Sequence, residues 1–343
     1  MPAITPNYMM NLETRMQVIQ SNAYDNLNRD PWWTKIAKKV TITGGKERFL
    51  WLLDTAQIKR TGRNGGNVEY EDIVSAQTEV EVENAADGLK LKKEQLSDTD
   101  GNGVDLAGHW SRGVGAYASY WPEECVADAL KANLTTYDNL PFFHTAHPVN
   151  PYDAAAGTFA NIFTGNASGA YPGKVPIDTS VSLEAALVNL TKVIGYVAGM
   201  KMPNGKTPRK LRLAHLFVPP LLMPRAVQLT SAKFIATVAG SAAGTTDVEA
   251  LIRSMGLGVP TVMPELGAAF GGSDVDFYVG MEDITNDQLG AFLYAEREPF
   301  SVNFYGPMTD VELARTRVFE WLTEGRNNVA PGHPFLLFKC CGT

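Results

Sequence analysis

The sequence predicts an α+β chain of two packed regions, with an N-terminal arm and a long β-hairpin attached. Three observations carry this. The chain has 343 residues, more than the ~250–300 at which a single hydrophobic core usually stops growing. Strictly alternating segments, Thr78-Glu79-Val80-Glu81-Val82-Glu83 and Leu89-Lys90-Leu91-Lys92, mark strands with one polar face. Between residues 180 and 290, helical periodicity alternates with short apolar runs, the pattern of a compact α/β layer.

Residues 1–40 read as an arm followed by a short helix, with Leu12, Met16, Ile19 and Leu27 loosely spaced. The segment ends at Pro31-Trp32-Trp33, and the paired tryptophans are a large apolar payload with little beside them to form a core. They have two possible seats, the chain's own domain or a neighbouring copy. Residues 41–95 read as an extended hairpin. Arg48 to Leu53 is apolar, Lys59-Arg60-Thr61-Gly62-Arg63 opens a flexible basic turn, and Asp87-Gly88 signals a turn between the two alternating strands. Glu79, Glu81 and Glu83 then face Lys90 and Lys92 across the ribbon. An isolated two-stranded ribbon is marginal in water, so the hairpin is expected to work between subunits. The candidate contact residues are Trp32, Trp33, Lys59, Arg60, Arg63, Glu79, Glu81, Glu83, Lys90 and Lys92. Removing Thr61 to Lys92 is expected to leave a folded subunit that cannot close into larger particles.

Residues 96–176 open with the polar run Asp98 to Gly103 and continue as a helix carrying Leu106, Trp110, Val114, Tyr117 and Trp121. Pro122 either kinks one long helix or separates two. A loop-rich stretch follows. Residues 177–290 hold the α/β layer. Leu183, Ala186, Leu187, Leu190, Val193, Ile194 and Val197 make a helical stripe, with Ser182 as N-cap and Gly199 as stop. Leu213 to Val218 reads as a buried strand followed by a proline-started helix through Leu229. Asp247 is placed to cap a helix carrying Val248, Leu251, Ile252 and Met255, and Val259 to Met263 and Asp276 to Gly280 read as short strands. Residues 291–343 return to β structure in the first region, with Val311 to Thr323 a long strand or a strand–helix mix.

Composition excludes several function classes. The net charge of −7 gives little to gain from counterion release, which argues against sequence-specific DNA binding, and the chain lacks a polybasic membrane-binding stretch. Three cysteines cannot build a disulfide framework and fit a reducing compartment. Met1 to Arg15 lacks the pattern of a signal peptide, so none is expected. The greasiest run, Leu213 to Met223, is broken by Pro219 and Pro220 and falls short of the ~20 residues of a membrane span.

Catalytic motifs are weak. His144-x-x-His147 has metal-ligand spacing, but zinc needs three or four ligands, and the other histidines are scattered at 109, 215 and 333. Asp98-x-Asp100-x-Asn102-Gly103 begins like a calcium loop, yet its twelfth position is His109 instead of Glu, so a polar turn capping the next helix is expected. Cys340 and Cys341 are expected to be free thiols, and Cys125 a core residue. Nucleotide-binding glycine loops and a nucleophile elbow are missing from the sequence. The residues thus point to no enzyme, no cofactor and no metal.

An arm, a coreless charged hairpin and two packed regions are the parts of a self-assembling shell subunit. Leu140-Pro141-Phe142-Phe143-His144-Thr145-Ala146-His147-Pro148, followed by Gly157-Thr158-Phe159-Ala160-Asn161, resembles a segment of Mu-like phage major head subunits. Lys35-Ile36-Ala37 with Glu47 to Leu52, Leu213 to Pro220, and Glu296 to Phe300 are similar to that family's arm, axial strand and late strand. The resemblance implies the Hong Kong 97-type capsid fold: N-terminal arm (1–40), extended hairpin loop (41–95), peripheral domain with a long spine helix (96–176), axial domain (177–290) and a return to the peripheral domain (291–343). It implies a major capsid protein forming hexamers and pentamers of an icosahedral head. The implied partners are the chain itself, scaffolding, portal and decoration proteins, and packaged double-stranded DNA, in the virion and, during assembly, the host cytoplasm. An encapsulin-type nanocompartment shell is the alternative, and a metal-dependent enzyme using His144 and His147 the more distant one.

Overall fold

The computed structural model describes residues 6–27, 30–53, 74–96, 105–231, 234–237, 244–247, 258–283, 290–306 and 309–342. The described chain opens with α1 (Pro6–Leu27), a 22-residue helix. Its buried stripe is Met9, Leu12, Met16 and Gln20, three or four residues apart as a helix face requires. This corrects the short helix expected after an arm. A methionine and a glutamine complete the stripe, which aliphatic periodicity alone passes over.

A 3₁₀ turn at Trp32–Lys35 leads to β1 (Ala37–Thr41), β2 (Lys46–Leu53), β3 (Val74–Glu81) and β4 (Glu83–Lys92). Then comes α2 (Leu106–Ala132), one continuous helix that contains Pro122. The Asp105 carboxylate caps it by accepting from the Gly108 N–H at 2.8 Å, and Asn133 ends it in the left-handed conformation, φ 50°. The short strands β5 (His147–Pro148), β6 (Thr158–Phe159) and β7 (Ile162–Phe163) cross the loop-rich region. α3 (Leu183–Ala198) starts at Ser182, whose hydroxyl accepts from the Ala185 N–H at 3.1 Å, and stops at Gly199. β8 (Leu211–Val218) and α4 (Met223–Ser231) flank the proline-led turn Pro220–Leu222. The rest is β9 (Phe234–Thr237), β10 (Gly244–Asp247), β11 (Thr261–Val262), β12 (Phe277–Asp283), β13 (Phe292–Tyr305), α5 (Asp310–Thr316), β14 (Val318–Pro331) and β15 (Leu337–Cys340). Asp247 is the last residue of β10, and the helix expected from Val248 to Met255 lies outside the described residues.

Two sheets organise these elements. The first has the order β1-β13-β14-β4, with β1 parallel to β13 and the other pairs antiparallel. Along β14, Phe319, Trp321, Thr323 and Asn327 are buried, while Glu320, Leu322, Glu324 and Arg326 are more open. Helix α1 packs Met9, Leu12 and Met16 against Leu91, Val302, Phe304, Phe319 and Trp321 of this sheet. The second sheet has the order β11-β8-β12-β15-β7. Its Leu213, Phe217, Phe277 and Phe338 share a core with Ala186, Leu190, Val193 and Val197 of α3.

Two expectations are corrected here, and the place of the C-terminal strand is defined. The hairpin forms between β2 and β3, in register from Lys46↔Glu81 to Leu53↔Val74. Strand β4 instead pairs along its length with β14, from Lys92↔Val318 to Glu83↔Asn327. Asp87-Gly88 is therefore strand, opposite Thr323 and Leu322, and Lys90 and Lys92 do not face Glu79 and Glu81. The physical reason is burial: joining β14 seats Leu91 in the α1 core at 5% exposure, a gain of ~1.5–3 kcal/mol per aliphatic side chain that a free ribbon cannot offer. Second, β13 and β14 lie in the first sheet, and β15 lies in the second between β12 and β7, beside strands of both the 177–290 and the 96–176 ranges. Third, Trp32 and Trp33 are 5% and 6% exposed in the chain's own core. Trp33 packs at a tilt on Tyr294, ring centres 5.0 Å apart, so neither tryptophan has surface left for a neighbour.

Candidate assembly surfaces

The β2–β3 hairpin is anchored at its base, and the Tyr152 hydroxyl donates to the Ser75 carbonyl of β3 at 2.9 Å. Val80 and Val82 are buried with Ile42, Ala295 and Ala330, and Phe49 packs partly on them. Farther along the ribbon Leu50 is 67% exposed. Lys46 pairs with Glu79 and lies 3.7 Å from Glu81, and Arg48 Nε donates to Glu79 at 2.8 Å. The charged row thus runs between β2 and β3. Of the other expected contact residues, Glu83 is exposed at the start of β4, Lys90 pairs with Glu320 at 2.7 Å, and Lys92 is exposed opposite Val318. Lys59, Arg60 and Arg63 lie outside the described residues.

A groove of about 910 Å³ runs between α2 and the first sheet, walled by Trp110, Tyr117, Trp121 and Phe300, with Glu83 and Asp87 on its rim. Its walls are fixed by polar tips. Trp110 Nε1 donates to Asp87 at 3.0 Å, Trp121 Nε1 donates to Asn327 at 2.6 Å, and the Tyr117 hydroxyl donates to Glu124 at 2.6 Å. The edge of Phe300 meets Trp121 at 6.1 Å. Such half-buried aromatics offer apolar area with a polar handle, the composition favoured at interfaces. The sequence signal was present, since Trp110, Tyr117 and Trp121 lie at helical spacing, but the stripe reads equally as core.

The histidine pair is structural. His147 is fully buried, with Nδ1 2.6 Å from Asp138 Oδ2 and Nε2 3.0 Å from the Phe142 carbonyl. Both ring nitrogens face oxygen acceptors, which leaves neither for a metal. His144 Nδ1 accepts from the Ala146 N–H at 3.1 Å. Among the described residues no group of three or more side chains is placed to hold a metal ion. Burial by itself would push the Asp138 carboxyl up, but His147 and the Thr136 hydroxyl outweigh it and hold it below the ordinary value. Phe142, beside this pair, stacks on Phe292 at 4.4 Å. The Pro141–Pro148 loop thus joins the first sheet to the second. The polar run Asp98 to Gly103 lies outside the described residues, and Asp105 does the capping. Cys125, Cys340 and Cys341 are free thiols. Burial pushes Cys125 up to about 12 and Cys340 well above the usual thiol range.

A sheet joined by a long helix, a second α/β layer and a projecting hairpin define a Hong Kong 97-type capsid fold. The capsid of the cyanophage P-SCSP1u matches it with a TM-score of 0.51 at 14% identity, over 88% of this chain and 85% of that one. The procapsid of bacteriophage JBD30 aligns at 15% identity and a TM-score of 0.47, over 98% and 75% of the two chains. The virus-like particle of Pyrococcus furiosus aligns at 9% identity and 0.48, over 95% and 97%. No curated protein matches the sequence. The family model "Mu-like prophage major head subunit gpT" matches residues 9–184, half of the chain. The chain belongs to that family, and is a tailed-phage major capsid protein.

Proposed function

We propose that copies of this chain close into an icosahedral head as hexamers and pentamers, each clasping the next with the β2–β3 hairpin. The observation that carries this reading is the pairing of an open ribbon with an open groove. Leu50 is two-thirds exposed on β2, and the α2 groove presents aromatic walls. Charge supports the same match. The sequence between β2 and β3 includes Lys59, Arg60 and Arg63, and the groove rim carries Glu83 and Asp87. Such complementarity sets register and partner choice more than affinity. Double-stranded DNA would be packaged without sequence preference, against a subunit whose net charge of −7 disfavours sticking. Scaffolding, portal and decoration proteins would be the further partners, met in the host cytoplasm during assembly. The chain's role is mechanical, with no catalytic step.

Negative-stain imaging of purified protein tests this. Closed shells built of rings are the expected result. A protein that stays monomeric at every concentration, with or without co-expressed scaffold, would overturn the reading.

A further inference from the structure

We propose that strand β4 is a self-pairing edge, which joins two copies of the chain antiparallel across a twofold axis at Gly88 and links one ring of subunits to the next. This role rests on the hairpin clasp proposed above. A hairpin seated in a neighbour's groove is a head-to-tail contact, and such contacts close rings. Two equivalent rings meet across twofold axes, where the same patch of each copy faces itself. β4 has the backbone edge and the charge order of such a patch.

β4 is the outer strand of the first sheet, bonded to β14 on one side, and among the described residues no strand pairs with its other side. The ladder fixes where its backbone groups point. The Lys93 N–H donates to the Arg317 carbonyl at 2.9 Å, in register with Leu91 opposite Phe319. Odd-numbered residues therefore bond to β14, while Asn84, Ala86, Gly88 and Lys90 turn N–H and C=O outward. Lys92 fits this alternation, since its N–H donates away from β14 to Gln95 Oε1 at 2.9 Å. Ala86, Asp87 and Gly88 are exposed in succession. Natural sheets blunt such edges with short strands, lysines, prolines or bulges. β1, the other edge of the sheet, is five residues long and contains Lys38 and Lys39. β4 runs ten residues in unbroken register, without a proline.

The charge order of β4 complements itself when the strand is reversed. Glu83 and Asp87 come first, and Lys90, Lys92 and the following Lys93 come last. With Gly88 opposite Gly88, Ala86 lies opposite Lys90, Asn84 opposite Lys92 and Glu83 opposite Lys93. The outward groups then bond to one another, about six backbone hydrogen bonds in all. Moving the axis to Asp87 or Lys90 sets like charges directly opposite, which is unfavourable. Asp87 already accepts from Trp110, and Lys90 pairs with Glu320, so Glu83 and Lys93 are the charges that select the register.

This pairing suits a shell wall. A twofold axis between antiparallel strands stands perpendicular to their sheet, so both copies keep α1 and α2, which pack on one face of it, on the same side. The contact also takes a different direction from the α2 groove. The Asp87 side chain reaches Trp110 on the helix side, whereas the outward N–H and C=O groups lie in the plane of the sheet. Each strand pair is a small contact, and repetition around the shell multiplies it.

Thiol cross-linking of the intact protein with bismaleimidoethane, beside wild type for the background of native cysteines, tests the proposal. A Cβ at residue 88 meets only ordinary contacts, Leu322 Cδ1 and the Trp321 carbonyl at 3.7 Å, so Gly88→Cys should fold. It should give a covalent dimer as the main product. Asn84→Cys alone should stay at background, because its own copy lies roughly 27 Å away along the strands, and it should cross-link when mixed with Lys92→Cys. No dimer from Gly88→Cys, or an equal one from Asn84→Cys alone, would overturn the proposal. Ala86→Pro gives a second readout. It removes an outward N–H and no bond to β14, so it should unfold at the wild-type midpoint yet sediment as free rings. Shells of normal size from it would overturn the proposal, and if it does not fold the cysteine variants decide. The two contacts are read separately. Wild type that never leaves the monomer sinks the hairpin clasp, whereas wild-type shells with no dimer at Gly88→Cys sink the strand pairing alone.

Discussion

Gly115 of α2 lies directly against the backbone of Gln20 in α1: a Cβ at residue 115 would sit 2.9 Å from the Gln20 Cα and closer still to its carbonyl oxygen. The two helices touch backbone to backbone here, and the buried Ser111 hydroxyl donates to the Met16 carbonyl one turn away. Small residues, Ala107, Gly108, Ser111, Gly115 and Ala118, make up the buried face of α2 at this crossing. The N-terminal helix is therefore part of the subunit's own fold.

Gly115→Leu should destabilise the subunit by about 1–3 kcal/mol or more, because the helix must move aside or the side chain must leave its rotamer. The measurement is the midpoint of urea unfolding at unchanged slope. Gly113 is the internal control. An added Cβ there meets nothing within 4 Å, so Gly113→Ala should stabilise by roughly 0.5–1 kcal/mol. Equal effects at both positions would contradict the crossing.

His147→Ala should cost about 3–5 kcal/mol, since it leaves a carboxylate whose side chain is 2% exposed without its partner. Wild-type protein should carry no stoichiometric zinc. Zinc present in the wild type and lost in the variant would show that the pair is a ligand set.

The same pair fixes an acid limb. The Asp138 carboxyl is held below its ordinary value, so its stabilisation is complete above the unfolded carboxyl pKa of roughly 3.9 and is lost as pH falls through the folded one. In Asp138→Asn the fall in unfolding midpoint below about pH 4 should be shallower than in wild type. An identical acid limb in the two proteins would mean that the pair is already broken or unimportant.

Local signals were legible where the physics is local. Ser182, the stripe from Leu183 to Val197 and Gly199 specify α3 from cap to stop, and Leu213 to Val218 specify β8 through continuous apolar character. The misreadings share one cause. Which strand pairs with which is decided by partners far off in the sequence, as with Leu91 opposite Phe319, 228 residues on, and Val279 of β12 opposite Phe338, 59 residues on. Asp87-Gly88 carries a turn signal that pairing with Thr323 and Leu322 in the β14 ladder overrides. The aromatic groove was invisible for a related reason. Trp110, Tyr117 and Trp121 differ from a core stripe only in what fails to cover them.

Cys340 and Cys341 should be free thiols dispensable for particle formation. Cys340 is fully buried in β15 and Cys341 half-buried, and burial raises both thiols. Native protein should alkylate slowly at neutral pH, and reductant should leave particles intact. A particle that falls apart in reductant, or rapid labelling at Cys340, would refute this. Because Cys340 is buried, Cys340→Ala with Cys341→Ser is the suitable double variant.

The role of the hairpin between subunits is tested most directly by shortening it. Deleting Thr61 to Lys92 is not a clean experiment, because it removes β4, whose Leu91 is buried in the α1 core. Replacing Trp51 to Ala76 with a short Gly/Ser bridge keeps the anchored base from Lys46↔Glu81 to Leu50↔Gln77 and all of β4. Sedimentation velocity of this variant beside wild type is the deciding measurement. The variant should unfold at nearly the wild-type denaturant midpoint yet sediment as monomers or free rings, with no shell-sized species. Shells of normal size from the shortened protein would contradict the account.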